Sequence, residues 1–456
     1  MAALIRTAWR GEGDLLSLLP AAAYRMRVGK LGYSRRTILI VNDPEIVRTI
    51  MTDPTDIYPK NDLMVGALEP LVGDSIFVSS GDTWRRQREM IDPAFSHMRI
   101  NEAFASMRGA VDDYQDHLDG LAESGETFSL DLAMSHLTAD VICRTVFSTS
   151  LQSQTARDVF EAFTVFERSV AHVELRRLIF EPAWSNVRQH DEVLSACNRI
   201  RRHLGELLDT HLDTDRHSDP RKPDDASGMS CPYSDIASAV IDARDRRTGE
   251  GFSREELIDQ LGVFFLAGHE TTASVLTWAF FILATQWEVL ARMREEIDSL
   301  VGDGEIEFEH IKRLPYVRNV FKETLRLYPP ITFIPRVAAE DTQVGRFRIR
   351  RGAMIMVSPW TIHRHRDLWE NPHAFDPDRF SPERQQSLVS GAYLPFGQGP
   401  RVCVGKAFAT VEATLILSRL VRRFEFEPLD AHRVRPAARL TTRPAEQIMC
   451  RVRRRS

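Results

Sequence analysis

The residues best suited to chemistry lie in a short glycine-punctuated loop around Cys403. The loop Phe396–Gly405 reads Phe-Gly-Gln-Gly-Pro-Arg-Val-Cys-Val-Gly and precedes an apolar, helix-like run. Its glycines let the backbone bend tightly and approach a flat cofactor, and amides at the start of the next helix can donate hydrogen bonds to a thiolate. A single cysteine is more often a small buried hydrophobe. In this setting the pattern favours a thiolate that binds a metal, with Arg401 beside it as a cation.

A second polar group interrupts an apolar segment further upstream. Leu261–Ala284 is apolar on nearly every face, which predicts a buried helix running from Ser253 to about Gln286, or roughly 50 Å. Ser253 and Glu256 form a capping box at its start. Inside it, Ala267–Thr272 reads Ala-Gly-His-Glu-Thr-Thr, a run of poor helix formers and polar groups.

Two interpretations of this interruption stay open from the residues alone. Small residues would let a bulky group approach the helix, and the Thr271 hydroxyl beside the Glu270 carboxylate could pass protons to it. Alternatively, the helix kinks there and its Thr hydroxyls bond back to the preceding turn. We expect His269 to be a flanking residue held by a hydrogen bond rather than a metal ligand.

Both segments resemble the cytochrome P-450 family. The loop matches the family's haem-binding pattern, Phe-x-x-Gly-x-Arg-x-Cys-x-Gly, at all five fixed positions, and Ala267–Thr272 is similar to its oxygen-activating element. The resemblance implies a thiolate-ligated haem b with Cys403 as the metal ligand, Phe396 near the sulfur and Arg401 at a haem propionate. It also implies cofactor contacts for three glycines, Gly268, Gly397 and Gly405. Thr271 and Glu270 would be the catalytic residues, assisting oxygen activation and relaying protons inward.

Further positions gain a role only through the resemblance. Trp84 and Arg88 share one face of a helix, and alone they indicate a surface helix with a buried tryptophan. The resemblance instead implies contacts to a haem propionate, with Arg336 at the second one.

Glu323 and Arg326 lie three residues apart in a helix that begins near Pro315 and must end at Pro329-Pro330, and alone they indicate a surface salt bridge. The resemblance implies a buried structural network of Glu323, Arg326 and Arg379.

The remaining pattern predicts a mainly α protein with a small β region, organised as a single domain over residues 1–456. The resemblance adds the cytochrome P-450 fold, with a long central helix over a haem and the cysteine-ligand loop on its other side. The pattern predicts strands within Gly32–Val41, Val344–Ile349 and Ala353–Val357, a helix beginning at Asp43-Pro44, and helices at Ala103–Leu121, Leu130–Phe147, Ala156–Val173 and Asn186–Asp213. It predicts loops at Asn61–Val78, Thr214–Ser234 and His363–His365, the last facing solvent and binding no metal.

Composition excludes several classes of protein. The formal charge of −5 argues against binding to nucleic acid, and five scattered cysteines argue against a disulfide framework or zinc site. Met1–Arg36 contains no apolar run of about 20 residues, so we expect no membrane span. The resemblance then points to a soluble, bacterial-type cytoplasmic protein, with a monomer as the default. A peripheral membrane contact through Leu15–Ala23 stays an alternative.

The resemblance implies a monooxygenase that inserts one atom of dioxygen into a C–H or C=C bond of an apolar substrate, such as a fatty acid, terpenoid, steroid or aromatic compound. Predicted pocket walls are Met64, Leu68, Phe264, Ala267, Ile331, Thr332, Phe333, Ile334 and Thr441. Arg35, Arg36, Arg176 and Arg177 are either carboxylate anchors or surface residues.

The chain contains no flavin, dinucleotide or iron–sulfur motif, so electrons would come from a ferredoxin or flavodoxin with an NAD(P)H reductase. The docking face would include Arg85, Arg86, Arg318, Lys322 and Lys406. Rival functions are a peroxide-using peroxygenase or an isomerase and, from another class, a haem sensor or ligand carrier.

Overall fold

The computed structural model describes residues 14–31, 37–53, 56–170, 189–217 and 235–455. Several sequence predictions fall wholly or partly outside these ranges. They are the start of the strand within Gly32–Val41, the end of Ala156–Val173, the start of Asn186–Asp213, most of the loop Thr214–Ser234, Cys231, and the four candidate anchors Arg35, Arg36, Arg176 and Arg177.

Helices dominate the described chain. They are α1 Pro44–Met51, α2 Asp62–Val72, α3 Gly81–Ile91, α4 His97–Ser124, α5 Leu130–Val146, α6 Gln154–Val170, α7 Asp191–His217, α8 Ile236–Ile241, α9 Arg254–Leu283, α10 Trp287–Val301, α11 Phe308–Lys312, α12 Pro315–Leu327, α13 Pro359–Ile362, α14 Pro382–Gln385 and α15 Lys406–Arg423. The strands are short: β1 Val28–Leu31, β2 Ile38–Val41, β3 Phe128–Ser129, β4 Ile334–Val337, β5 Thr342–Val344, β6 Phe347–Ile349, β7 Met354–Val357, β8 Phe424–Pro428, β9 Pro436–Ala438, β10 Thr442–Pro444 and β11 Met449–Arg454. The expected mainly α fold with a small β region is confirmed.

Helix α9 crosses the core as one uninterrupted element of 30 residues. Its capping box is present: the Ser253 side chain accepts from the Glu256 amide, and the Glu256 carboxylate accepts from the Ser253 amide. Apolar residues on most of its faces are buried, and α5 packs along it. The predicted central helix is therefore confirmed, and Ala267–Thr272 does not break it.

The largest sheet joins distant parts of the chain in the order β1-β2-β7-β4. Strand β2 pairs antiparallel with β1 and parallel with β7, with Ile38 opposite Met354 and Val41 opposite Val357. All four β2 residues are buried, which explains the continuous apolar run Ile38–Val41. The chain then turns into α1, where Asp43 caps the helix by accepting from the amides of Glu45 and Ile46, as the sequence predicted.

Two local predictions were wrong. Asn61–Val78 was expected to be a loop, but Asp62–Val72 forms α2, because packing against α7 and α9 compensates for Gly66 and for Pro70 near its end. Val344–Ile349 was expected to be one strand, but it is the antiparallel hairpin β5–β6. The chain reverses at Gly345, whose φ of +55° is a left-handed conformation that favours glycine.

Among the described residues, no single helix is long and apolar enough to cross a membrane. Only α9 and α10 taken together pass by length and composition, and they are bent by 108° relative to each other.

Candidate functional site

A cavity of about 520 Å³ lies between α9 and the loop that carries Cys403. The loop contributes Phe396, Gly397, Arg401, Cys403 and Gly405, and α9 contributes Gly268 and Thr271. The expected arrangement of a long helix facing a cysteine loop is thus present around one cavity.

The Cys403 loop is shaped by its glycines. Gly397 and Gly399 have φ values of +74° and +77°, and a Cβ atom on Gly399 would collide with the Met51 carbonyl. The turn closes with a hydrogen bond of 2.9 Å from the Cys403 amide to the Phe396 carbonyl oxygen. This backbone path directs the Cys403 side chain into the cavity.

Cys403 differs from the other described cysteines. Cys143, Cys197 and Cys450 are buried against other atoms, whereas Cys403 is open to the cavity. Its position deep in the protein raises the pKa of the thiol, while the Gly405 amide and the charges of Arg88 and Lys406 act in the opposite direction. A thiolate there is favoured when a metal cation binds it.

Three cations line the same cavity at its polar end: Lys60, Arg336 and Arg401. None of them has a carboxylate within ion-pair distance in the described part of the chain. Burial, followed by repulsion from Arg401 and Arg336, lowers the pKa of Lys60 to about 6. Burial and Arg401 likewise lower the pKa of Arg336 to about 10. Cationic groups buried together are stabilised by an anion, and the two carboxylates of a haem would meet this requirement.

The donors already occupied at this end leave room for those carboxylates. Arg401 donates to the Ser79 carbonyl oxygen at 3.1 Å, and its guanidinium carbon lies 4.2 Å from the ring centroid of Trp84. Lys60 donates to three carbonyl oxygens, those of Ile76 at 3.0 Å, Phe77, and Ser79 at 3.4 Å. It would therefore act on a carboxylate through its charge, and the donors left for a carboxylate at this end are those of Arg336 and Arg401. Sequence reasoning missed Lys60, because its proximity to Arg336 arises from an isolated bridge between distant chain segments.

Arg88 lines the cavity but is tied to the cysteine loop. One of its terminal nitrogens donates to the Val402 carbonyl oxygen at 2.6 Å, and its Nε donates to Asp92 at 2.6 Å. Trp84 also lines the cavity, four residues earlier on α3. Trp84 and Arg88, which were predicted to share one face of this helix, therefore both line the cavity.

Thr271 and Glu270 are adjacent in sequence but have different surroundings. Thr271 lines the cavity and donates to the Ala267 carbonyl oxygen at 2.6 Å, the back-bond that the kink interpretation expected. Glu270 is buried and is not among the residues that line the cavity. Gly268 is needed for packing, because a Cβ atom there would collide with Ile142 of α5.

Glu270 is held by an ion pair that the sequence did not reveal. Arg443 donates to both of its carboxylate oxygens, and the Nε contact is 2.9 Å. The Thr441 hydroxyl donates to Glu270 Oε1 at 2.5 Å. Burial alone would raise the pKa of Glu270, but Arg443 holds it below its usual range.

Thr441 was predicted to be a wall of the substrate pocket, and this was wrong. Its side chain is buried and turned toward Glu270, and Arg439 and Leu440 line the cavity instead.

The other eight predicted wall residues line the cavity, namely Met64, Leu68, Phe264, Ala267, Ile331, Thr332, Phe333 and Ile334. Sequence reasoning missed Phe95, Ile142, Val146 and Val263, which come from separate elements that only the fold brings together.

His269 is held as predicted. Its Nδ1 lies 2.7 Å from the Phe265 carbonyl oxygen, and its Nε2 lies 3.1 Å from Glu167 Oε1 on α6.

Glu323, Arg326 and Arg379 form a buried network. Arg326 donates two hydrogen bonds to the Glu323 carboxylate, at 2.7 and 2.8 Å, and Arg379 Nε donates to Glu323 Oε1 at 3.2 Å. Arg326 also donates to three backbone carbonyl oxygens, those of His363, Pro372 and Ala374. The network thus fastens α12 to the loop that precedes the cysteine segment.

His363–His365 was expected to face solvent, and this was wrong. His363 is fully buried, and its Nε2 accepts from the Leu394 amide at 3.0 Å. Burial, with Arg326 and Arg364, lowers the pKa of His363 to about 3, so the ring is neutral. The charged residues beside it in sequence suggested a surface loop, but Arg364 is buried and donates to the carbonyl oxygens of Leu327 and Trp360.

A family model described as Cytochrome P450 matches residues 26–451. The chain belongs to the cytochrome P450 family. Among its relatives, cyclooctatin synthase of Streptomyces melanosporofaciens is 30% identical over 422 residues, which is 91% of this chain and 86% of that protein. Cytokinin hydroxylase of Arabidopsis thaliana is 30% identical over 409 residues, covering 89% of this chain and 77% of that protein.

Solved structures show the same fold. The crystal structure of a cytochrome P450, CYP102L1, superposes with a TM-score of 0.81 at 24% identity, covering 96% of this chain and 94% of that one. The cytochrome P450 fold and the recognition of the family from its motifs are thereby confirmed. This P450 is a haem-thiolate monooxygenase.

Proposed function

We propose that this P450 uses haem b to insert one atom of dioxygen into a C–H or C=C bond of an apolar substrate, with electrons from a ferredoxin or flavodoxin and its NAD(P)H reductase. The observation that carries the proposal is the single cavity that joins Cys403, Thr271 and a predominantly apolar wall. A monomer in the cytoplasm remains part of the proposal, which size-exclusion chromatography and cell fractionation test.

The residues around the cavity fit the cofactor. Cys403 would supply the axial thiolate, Arg336 and Arg401 would bind the propionates, and Lys60 would act on them through its charge. When bound, the haem supplies the oxygen-activating chemistry, which thiolate ligation favours. The Trp84 ring, stacked on Arg401, fixes that guanidinium at the polar end of the cavity.

The protein contributes proton control and exclusion of water. The Thr271 hydroxyl is oriented by the Ala267 carbonyl and reaches the cavity, so it can donate or accept a proton there. The apolar wall made by Phe264, Ile331 and their neighbours excludes bulk water from the reacting centre.

The substrate is an apolar small molecule that fills the cavity beside α9. Two relatives are named for different compounds, cyclooctatin and cytokinin, so fatty acids, terpenoids, steroids and aromatics all stay candidates. An apolar cavity selects by shape and burial rather than by a charge pattern.

The electron carrier would dock at a basic group near the cysteine loop, made of Arg318, Lys322 and Lys406. These side chains are close enough that Arg318 and Lys406, after burial, lower the pKa of Lys322. None of the three is ion-paired in the described residues. The expected use of Arg86 is not favoured, because Arg86 is mostly buried and donates to Glu256 at 2.6 Å.

Charge reversal tests the docking group. Replacing Arg318 and Lys406 by Glu should slow reduction by an acidic carrier without changing substrate binding. Arg85→Glu is the matched control, because Asp82 and Asp56 already neutralise that charge at 2.7 and 3.5 Å. Equal rates in both variants would contradict this docking face.

Optical titration of the ferric protein, followed by turnover, tests the function. A panel of fatty acids, terpenes, steroids and alkylated aromatics should contain a class that gives a saturable low-spin to high-spin shift. That class should then be oxygenated with NAD(P)H, a surrogate ferredoxin and its reductase. Product formed only with added peroxide would indicate a peroxygenase, and binding without product from either oxidant would indicate a sensor or carrier.

A further inference from the structure

Glu270 belongs to a largely buried group of four ionisable side chains. Glu167 comes from α6, His269 and Glu270 come from α9, and Arg443 comes from β10. One ligand-type atom from each of Glu167, His269 and Glu270 lies within 4.8 Å of the others, which resembles a metal site. Arg443 argues against a metal, because its guanidinium already occupies both oxygens of Glu270.

The two carboxylates of this group have unequal partners. Glu270 accepts from Arg443 through both oxygens and from the Thr441 hydroxyl, which stabilises the ionised form. Glu167 Oε1 is buried without an aligned hydrogen bond in the described part of the chain, and the nearest partner is His269 Nε2 at 3.1 Å. A proton that binds to this group is therefore most stable on Glu167 or His269.

Charge balance requires one such proton. The Phe265 carbonyl oxygen can only accept, so His269 Nδ1 carries a hydrogen in either state. Arg443 cancels the charge of Glu270, and Glu167 and His269 are neutral together only while they share one proton. Its loss would leave an uncompensated buried negative charge, which is unfavourable.

Neighbouring charges also favour a proton on Glu167 or His269. Burial and the charge of Glu270 raise the pKa of Glu167. Burial opposes protonation of His269, but the ion pair with Glu167 raises the pKa of the ring. Among the described residues, Asp131 also acts on this network, through Arg443.

We propose that Glu167 and His269 share one mobile proton and form the reservoir from which Glu270 is protonated during turnover. The proposal rests on the proposed monooxygenase function. Reduction of dioxygen to one inserted oxygen atom and one water consumes two electrons and two protons. One proton would pass from Glu167 or His269 to the Glu270 carboxylate, leaving the pair with one negative charge until it takes a proton from solvent.

Glu167 is placed to admit that proton. Its side chain is 20% exposed, against 2% for His269 and 5% for Glu270. Glu270 is next in sequence to Thr271, whose hydroxyl reaches the cavity. The group thus links the protein surface to the Thr271 side of the site through α6.

The first test needs no turnover. If folding binds one proton at Glu167 and His269, the ratio of unfolding equilibrium constants of wild type and Glu167→Gln should change about tenfold per pH unit near pH 7–8. Chemical denaturation of the haem-loaded proteins at several pH values measures this ratio. Glu161→Gln is the control, because Glu161 is exposed on the same helix. A pH-independent ratio would show that Glu167 has only a packing role.

The second test measures coupling. Glu167→Gln should lower product per NAD(P)H several-fold and release more peroxide, with unchanged substrate binding, and Glu167→Asp should restore part of the coupling. Product driven by added peroxide should be largely retained, because peroxide brings its own protons. Loss of product with both NAD(P)H and added peroxide would contradict the proposed proton reservoir and indicate structural damage. If wild type itself makes no product with reductant, the proposed function fails, whereas the unfolding test still decides whether the proton is present.

Discussion

Lys60 and Arg336 pair across an isolated antiparallel bridge that brings two buried basic side chains to one end of the cavity. Arg401 is the third basic side chain there, and its charge lowers the pKa of both of the others after burial does. Mutual repulsion of this kind is unfavourable in the folded chain unless an anion is bound. The polar end of the site is therefore organised for carboxylates before any ligand binds.

Lys60→Met should weaken retention of haem. Loss of a positive charge close to a propionate corresponds to about tenfold faster release. Transfer of haem to an excess of a high-affinity acceptor protein measures this rate. Lys312→Met is the control, because Lys312 is exposed on α11 and away from the cavity. Equal rates of haem release from Lys60→Met and Lys312→Met would show that Lys60 does not stabilise a bound propionate.

Arg326→Met should prevent stable folding. The substitution removes the two-nitrogen partner of the buried Glu323 and leaves it the weaker contact with Arg379 at 3.2 Å. Removing one partner of a buried ion pair costs about 3–5 kcal/mol, and three backbone carbonyl oxygens also lose their donor. Denaturant unfolding and haem content after expression measure the loss. Arg453→Met removes an exposed ion pair to Glu427 and should cost about 1 kcal/mol or less. Comparable losses in both variants would contradict the structural role of the network.

The sequence predicted those features that depend on local chemistry. The cysteine loop and the capped central helix are contained in short segments, so their residues could be recognised directly. Glu323 and Arg326 alone indicated a surface salt bridge, and only the family resemblance implied the buried network. Lys60, Glu167 and Arg443 could not be recognised, because each meets its partner across more than a hundred residues of chain. His363 was misjudged for the same reason: its burial depends on Leu394 and α12, which lie elsewhere in the sequence.

Gly399→Ala should be much more harmful than Gly249→Ala. Both glycines have nearly the same φ, +77° and +76°, so the conformational cost of a side chain is matched at about 1 kcal/mol. A Cβ atom at 399 would also collide with the Met51 carbonyl, whereas at 249 it meets no described atom within 4 Å. Backbone atoms cannot rotate away, so the cysteine loop must shift. The carbon monoxide difference spectrum and the unfolding midpoint should change in Gly399→Ala only, and a normal spectrum would show that the loop tolerates the contact.

Glu412 on α15 should make stability fall as pH rises. Its carboxyl is fully buried, neither oxygen has an aligned hydrogen bond among the described residues, and burial raises its pKa to about 8. The folded chain therefore keeps a proton that the unfolded chain releases near pH 4.5. Stability from this group is complete below the unfolded pKa and is lost as pH rises toward 8, by about 1.4 kcal/mol per pH unit. Glu412→Gln removes this dependence, so the free energies of unfolding of the two proteins should diverge from pH 6 to pH 8 in favour of the variant. Parallel curves over that range would mean that Glu412 is ionised in the folded protein.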